Sequence, residues 1–201
     1  MKLYKSKSKE KKAKTTDVDF SAFNEIEENV ETYNSFDNLK IEQEEMNALK
    51  AVGVNLFDES VAGKFLMYGN KIYWLIPQIS GIEIIPLREA FQIYPEIKEK
   101  YYFKAVDKDQ DDFTQTVYKR EQNGYFIRVK KNVHVDVPLH TAMFMHREMS
   151  TMCVHNIVVL EEGASLHLIT GCLSGCTLQG GLHITVGEYY VGKGAKFIST
   201  M

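Results

Sequence analysis

Apolar positions in the first part of the chain recur at three- and four-residue spacings. Phe20, Phe23, Ile26, Val30, Tyr33 and Phe36 follow that rhythm and predict a helix laid on a surface within Asp17–Asn38. Ile41–Val52 predicts a firmer helix, with acids in its first turn and Gly53 placed to end it. The run KFLMY-GN-KIYWLI then changes period. Two β-rich stretches flank Gly69-Asn70, which is a two-residue hairpin signal. Residues 87–101 return to helical spacing, with Pro95 placed to start a second short helix.

From Gly124 onward the helical period disappears. Segments 127–135 (IRVKKNVHV), 158–166 (VVLEEGASL) and 189–197 (YYVGKGAKF) align with a spacing of 31 both times. Each reads apolar, any, apolar, then polar or small residues, a corner at Asn132, Gly163 or Gly194, and a further strand. A fixed period with one corner per repeat and no helix between repeats predicts a β-solenoid. Asn and Gly suit a corner where the backbone turns left-handed. Alternate apolar side chains would then stack inside the coil. A Greek-key sandwich with coincidental spacing is the competing reading. The chain stops at Met201 directly after a rung strand, so an uncapped edge is expected there, covered by another chain or marking a shortened protein.

Composition narrows the classes. A chain of 201 residues with 44% hydrophobic and 25% charged positions is globular. No apolar run approaches membrane-spanning length and none near the N-terminus resembles a secretory core, so a cytoplasmic protein is expected. Three cysteines, Cys153, Cys172 and Cys176, fit a reducing compartment. Net charge is −3, yet residues 1–14 carry +6, leaving the remainder near −9. That balance makes the Lys-rich tip a solvated tail and argues against nucleic acid as a partner. The expected organisation is a tail over 1–16, a helical and small α/β region over 17–119, and a truncated solenoid over 120–201.

Nucleotide and calcium chemistry find no support. An EF-hand loop starting at Asp107 would need glycine at the position of Asp112 and glutamate at that of Tyr118. Gly63-Lys64 and Gly192-Lys193-Gly194 lack the spacing of a phosphate-binding loop. A carbohydrate-active solenoid would need converging carboxylates, and Asp136, Glu148, Glu161, Glu162 and Glu188 do not supply an evident pair.

Three stretches carry a resemblance: GYFIRVKKNVHVDVPLHTAMFM (124–145), VHNIVVLEEGASLHLITGC (154–172) and LHITVGEYYVGKGAKF (182–197). Together they resemble the SufB/SufD family of iron–sulfur cluster assembly proteins, and most closely its compact archaeal-type SufB-like members. Similarity is strong over about 120–198 and weaker over 45–115. The resemblance implies a mainly β fold, a right-handed parallel β-helix preceded by a small α/β region. It implies a scaffold rather than an enzyme, working with a SufC-like ATPase and with a second SufB/SufD-like subunit or as a homodimer. It also implies a sulfur donor and a transiently held iron–sulfur cluster, and no membrane or nucleic acid is expected as a partner.

Residue by residue, Cys172 occupies the family's Gly-Cys position, implicated in sulfur acceptance and transfer. A thiolate is both the nucleophile for persulfide transfer and a soft iron ligand. His183 matches a family histidine on the next rung, where it could hold the thiolate or relay a proton. Cys172, His183 and Cys176 are the candidate metal ligands, Cys176 through a C-x3-C spacing that specifies no metal by itself. Cys153 has no family counterpart. His155 and His167 lie in matching segments but, like His134, His140 and His146, read as wall residues. Thr170 stands where bacterial members carry glutamate, and Phe144-Met145-His146 replaces an Arg-x-Asn. The family also extends past residue 201 with further rungs, SufC-docking helices and proposed cluster ligands. The alternative function is therefore a non-catalytic truncated paralogue that binds a full-length SufB/SufD-like subunit through its open edge.

Overall fold

The computed structural model describes residues 18–24, 30–75, 79–121, 123–175 and 177–201. The Lys-rich tip and Cys176 lie outside the described residues. The elements run β1 (Glu31–Tyr33), α1 (Gln43–Ala51), β2 (Gly63–Tyr68), β3 (Lys71–Leu75), β4 (Ile82–Pro86), α2 (Leu87–Ile93), α3 (Glu96–Lys100) and α4 (Asp112–Arg120). They continue as β5 (Tyr125–Val129), β6 (Leu139–Met145), β7 (Ser150–Leu160), β8 (Ser165–Ser174), β9 (Gly181–Val191) and β10 (Lys196–Thr200). The fold is mainly β, and its strands form two mixed sheets, in the orders β1-β3-β2-β6-β8-β10 and β4-β5-β7-β9.

Successive strands from β5 onward alternate between the sheets, and each pairs in parallel with the strand two further on. The 31-residue spacing of the sequence is the register itself. Ile127 pairs with Val158, and Val158 with Tyr189. In the other sheet Ser165 pairs with Lys196 at the same step. Two extra residues between His134 and Leu139 reset one step, so that Leu139 pairs with Leu168. Asn132, Gly163 and Gly194 take φ of 58°, 71° and 69°, the left-handed corners expected of them. Each corner hangs on the next: Asn132 N–H donates to the Glu162 carbonyl at 2.9 Å and Gly163 N–H to that of Lys193 at 3.0 Å.

Side chains alternate across each strand. One face of each sheet points into a shared interior built from Phe65, Ile84, Ile127, Val129, Leu139, Val158, Leu160, Leu166 and Leu168. Burying each such side chain contributes about 1.5–3 kcal/mol. The outward faces are covered separately. The region around α1 lays Leu49, Val54 and Leu56 on Leu66, Ala142 and Phe144. Helices α2 and α3 lay Leu87, Ala90 and Ile97 on Phe126, Ile157 and Tyr190. Val117 of α4 covers Cys153, Ile184 and Val186.

The first half departs from its sequence reading in places. Among the described residues of 17–38 there is no α-helix: Phe20–Ala22 is a single 3-10 turn and Glu31–Tyr33 is strand β1, parallel to β3. Tyr33 instead stacks on Tyr73 with ring centroids 5.0 Å apart, so an edge position on the sheet outweighs a thin helical stripe. Positions 25–29 of that stretch lie outside the described residues. Three other expectations hold. α1 ends at Gly53 with φ 83°, the hairpin turns at Gly69-Asn70, and Pro95 caps α3. The acidic stretch after Asp107 runs into α4, whose start is a reciprocal cap between Asp111 and Thr114 (2.8 and 3.1 Å).

Candidate functional site

Cys172 follows Leu166, Leu168 and Thr170 on the inward face of β8. It is free and exposed, at the end of the interior nearest the 175–180 connection to β9. Its cross-strand neighbour is Met143, which in turn pairs with Met67. Desolvation by its surroundings pushes the thiol above its ordinary value. A proton must therefore be removed before the sulfur can act as nucleophile or ligand.

Immediately behind the thiol the interior turns polar. Thr141 and Thr170 face each other across β6 and β8 with their hydroxyls 2.8 Å apart. The phenol of Tyr125 reaches them from the opposite sheet. Tyr125 and Tyr189 both feel the charge of Cys172, and burial raises both phenols. They stay protonated at neutral pH and offer O–H donors toward that end of the interior. Tyr189 leans over Gly187, where a Cβ would meet its hydroxyl at 2.8 Å.

His183 is on the inward face of β9, cross-strand from Met152. Its Nε2 is 2.9 Å from Thr185 Oγ1. A tautomer with Nε2–H donated to Thr185 leaves Nδ1 with its lone pair. Burial holds the imidazole below its usual pKa, so it is neutral near pH 7. Cys172 and His183 thus belong to different sheets but line one interior. The hydrogen bond of His183 goes to Thr185 rather than to the thiol. Among the described residues, no group of three or more His, Cys, Asp and Glu could hold a metal ion.

The remaining candidates pack against or pair with neighbours of their own. Cys153 is buried on the outward face, under Val117. His134 meets Ser165 at 3.2 Å, His140 accepts from Asn55 N–H at 3.3 Å, and His167 meets Thr200 at 3.0 Å. His146 stacks flat on Tyr68 at 4.3 Å. His155 is wholly buried with Glu188, Nε2 to Oε2 2.8 Å, and stacks on Tyr102.

The sequence reading missed Glu188 as anything but a stray carboxylate. It accepts from four consecutive backbone N–H groups, Phe103 to Val106, at 2.6–3.1 Å, and from the Tyr190 hydroxyl at 3.1 Å. Its alternation with Ile184 and Val186 on β9 was the available signal, because an acid at an outward position lined with apolar residues needs partners. The Tyr125, Thr141 and Thr170 hydroxyls left no such signal, since threonines are ordinary in strands.

No family model matches the chain. Among curated proteins it is 34% identical, over 97% of its length, to an iron–sulfur cluster assembly SufBD family protein of Methanothermobacter thermautotrophicus. It is 33% identical over 76% of its length to one of Archaeoglobus fulgidus, and 25% over 89% to one of Pyrococcus horikoshii. These matches cover 48%, 41% and 41% of the relatives, so the chain spans about half their length or less.

Proposed function

The chain belongs to the SufBD family of iron–sulfur cluster assembly proteins, and from that premise we propose that it is a scaffold component of a SufBCD-like complex that accepts sulfur at Cys172. The observation that carries this is a free, exposed thiol at the mouth of the interior, with hydroxyl groups directly behind it. In the step proposed, the Cys172 thiolate attacks the terminal sulfur of a donor persulfide. The donor's S–S bond breaks, a new one forms on Cys172, and the donor cysteine leaves as a thiolate. No net oxidation occurs. The Tyr125 and Tyr189 phenols supply hydrogen bonds to the charge that results.

The cluster is cargo in this reading. One thiol with His183 offers two ligands, so a cluster would be completed with a second SufB/SufD-like subunit or a second copy. ATP hydrolysis would come from a SufC-like partner, and the chain itself would turn over no substrate. The same reading takes the two sheets as rungs of a right-handed parallel β-helix. The 31-residue register and left-handed corners support that, and parallel crossovers favour the right hand. A cytoplasmic location is part of the same reading; no helix among the described residues is long and apolar enough to cross a membrane.

The test is anaerobic reconstitution with ferrous iron and sulfide, with and without a SufC-like ATPase and a full-length family subunit. The expected result is a thiolate-to-iron absorption band that Cys172→Ser removes. An unchanged band in that variant would falsify the site.

A second reading has its own support: β9 and β10 lie at the outer edges of the two sheets, where Tyr189, Val191 and Ile198 are exposed. A paralogue without cluster chemistry could pair there with a full-length subunit. Stable, colourless co-elution with such a subunit, unaffected by Cys172→Ser, is what that reading expects.

A further inference from the structure

Sulfur is concentrated at one end of the interior. Met143 and Cys172 are cross-strand neighbours on β6 and β8. Met152 and His183 are cross-strand neighbours on β7 and β9. The connection 175–180 reverses the chain between the sheets, so the rows nearest it face one another. Met145 marks that reversal: its Sδ and Cε lie 2.7 Å from where a Gly181 Cβ would stand, across the interior on β9. Gly180 beside it is covered the same way by the Met149 sulfur, at 2.8 Å. Met143, Met145 and Met152 belong to the buried interior and are 1%, 7% and 0% exposed. Cys172 alone of this sulfur group opens to solvent as a free thiol.

We propose that this end of the interior is a binding site for a soft monovalent cation of the Cu(I) class, held by the Cys172 thiolate and the thioethers of Met143 and Met145, with the His183 imidazole at its rim. Ligand type selects the metal. Thioethers and a thiolate are soft donors that favour Cu(I) over hard cations. Charge selects the oxidation state. One thiolate and otherwise neutral ligands make a neutral site with a monovalent ion, and a neutral assembly costs least in an apolar interior. Binding forms the Cu–S bond, breaks the S–H bond and releases that proton to solvent, with no redox change. The site uses the thiol of the proposed sulfur acceptor but does not depend on that role. Cu(I) there would block sulfur uptake.

Two measurements test it on the full chain. The first titrates Cu(I) anaerobically against bicinchoninate. One equivalent should be withdrawn from the chelator by wild type and by Cys176→Ser, and none by Cys172→Ser. Met143→Leu and Met145→Leu conserve volume, and each should weaken binding by at least the roughly tenfold that even an outer-shell change costs. The second follows the methionine ε-methyl resonances on addition of Ag(I). Those of Met143 and Met145 should move, and that of Met67 should not. Unaltered affinity in both leucine variants, or unmoved methyls, overturns the site in favour of thiol-only binding. Sulfur uptake is scored separately. Met143→Leu should lose Cu(I) affinity and keep uptake, so the two readings fail independently.

Discussion

Glu188 is held as an anion by its neighbours. Burial alone would raise its pKa, but the hydrogen bond from His155 and those from the 103–106 backbone outweigh burial and lower it below 4.5. A depressed carboxylate contributes stability that is present above its unfolded pKa and is lost as pH falls through the folded value. Glu188→Gln is therefore expected to lose about 2–4 kcal/mol at pH 7, since the loop's four N–H groups and His155 lose a buried charge. Below about pH 4.5 its urea midpoint should fall less steeply than that of wild type. At Cys172 the shift has the opposite direction. Its alkylation rate should keep rising past pH 9.0, the ordinary thiol value, while a titration midpoint below that value would contradict the desolvation by its surroundings. The place of Cys172 near the end of β8 was legible, because a Gly-Cys closing a strand is a local pattern. The role of Glu188 was not, because the four backbone N–H groups that it accepts from lie more than eighty positions away and His155 lies 33 positions away.

At the level of elements, the corners were the most legible feature. Left-handed backbone restricts residue choice, so Asn132, Gly163 and Gly194 show their conformation in one letter each. The corners are nonetheless unequal. A Cβ on Gly194 meets nothing within 4 Å, while one on Gly163 strikes the Asn132 side chain oxygen. Gly194→Ala should cost about 1 kcal/mol from backbone conformation alone. Gly163→Ala should cost distinctly more, and the difference should appear in paired urea midpoints. Equal losses would mean that the stacked corners are not in contact. Helix α4 was illegible for the converse reason: DFTQTVYKR carries β-branched residues at three of its nine positions. Its helix rests on the Asp111 cap and on packing Val117 over β7 and β9. Among the described residues before Asn38 the expected helix gives way to a 3-10 turn and strand β1, with Tyr33 held at the sheet edge on Tyr73 and Phe20 set against Phe113.

For the whole molecule, both sheets draw on one interior, and strands from before and after residue 120 share each sheet. Phe65 of β2 meets Tyr125 of β5 edge-on across that interior at 5.5 Å. Unfolding should therefore be a single transition, with Trp74 fluorescence and far-ultraviolet circular dichroism coincident. Phe65→Ala should lower both together by about 3–5 kcal/mol. Separate transitions would show that the two sheets do not share a core. The repeat was visible in the sequence because strands that pair in parallel at a 31-residue offset meet the same environment each time. The chemistry proposed at Cys172 draws on side chains from opposite sheets, and no linear pattern joins Tyr125 to Thr170 or Met145 to Gly181.

The most direct test of sulfur acceptance is to load the full chain anaerobically with a cysteine desulfurase and cysteine, trap exposed sulfurs, and map the added sulfur by mass spectrometry. Addition of one sulfur atom at Cys172, absent in Cys172→Ser and retained in Cys176→Ser, is the result this account predicts. Sulfur on Cys153 or Cys176 with Cys172 unmodified would contradict it.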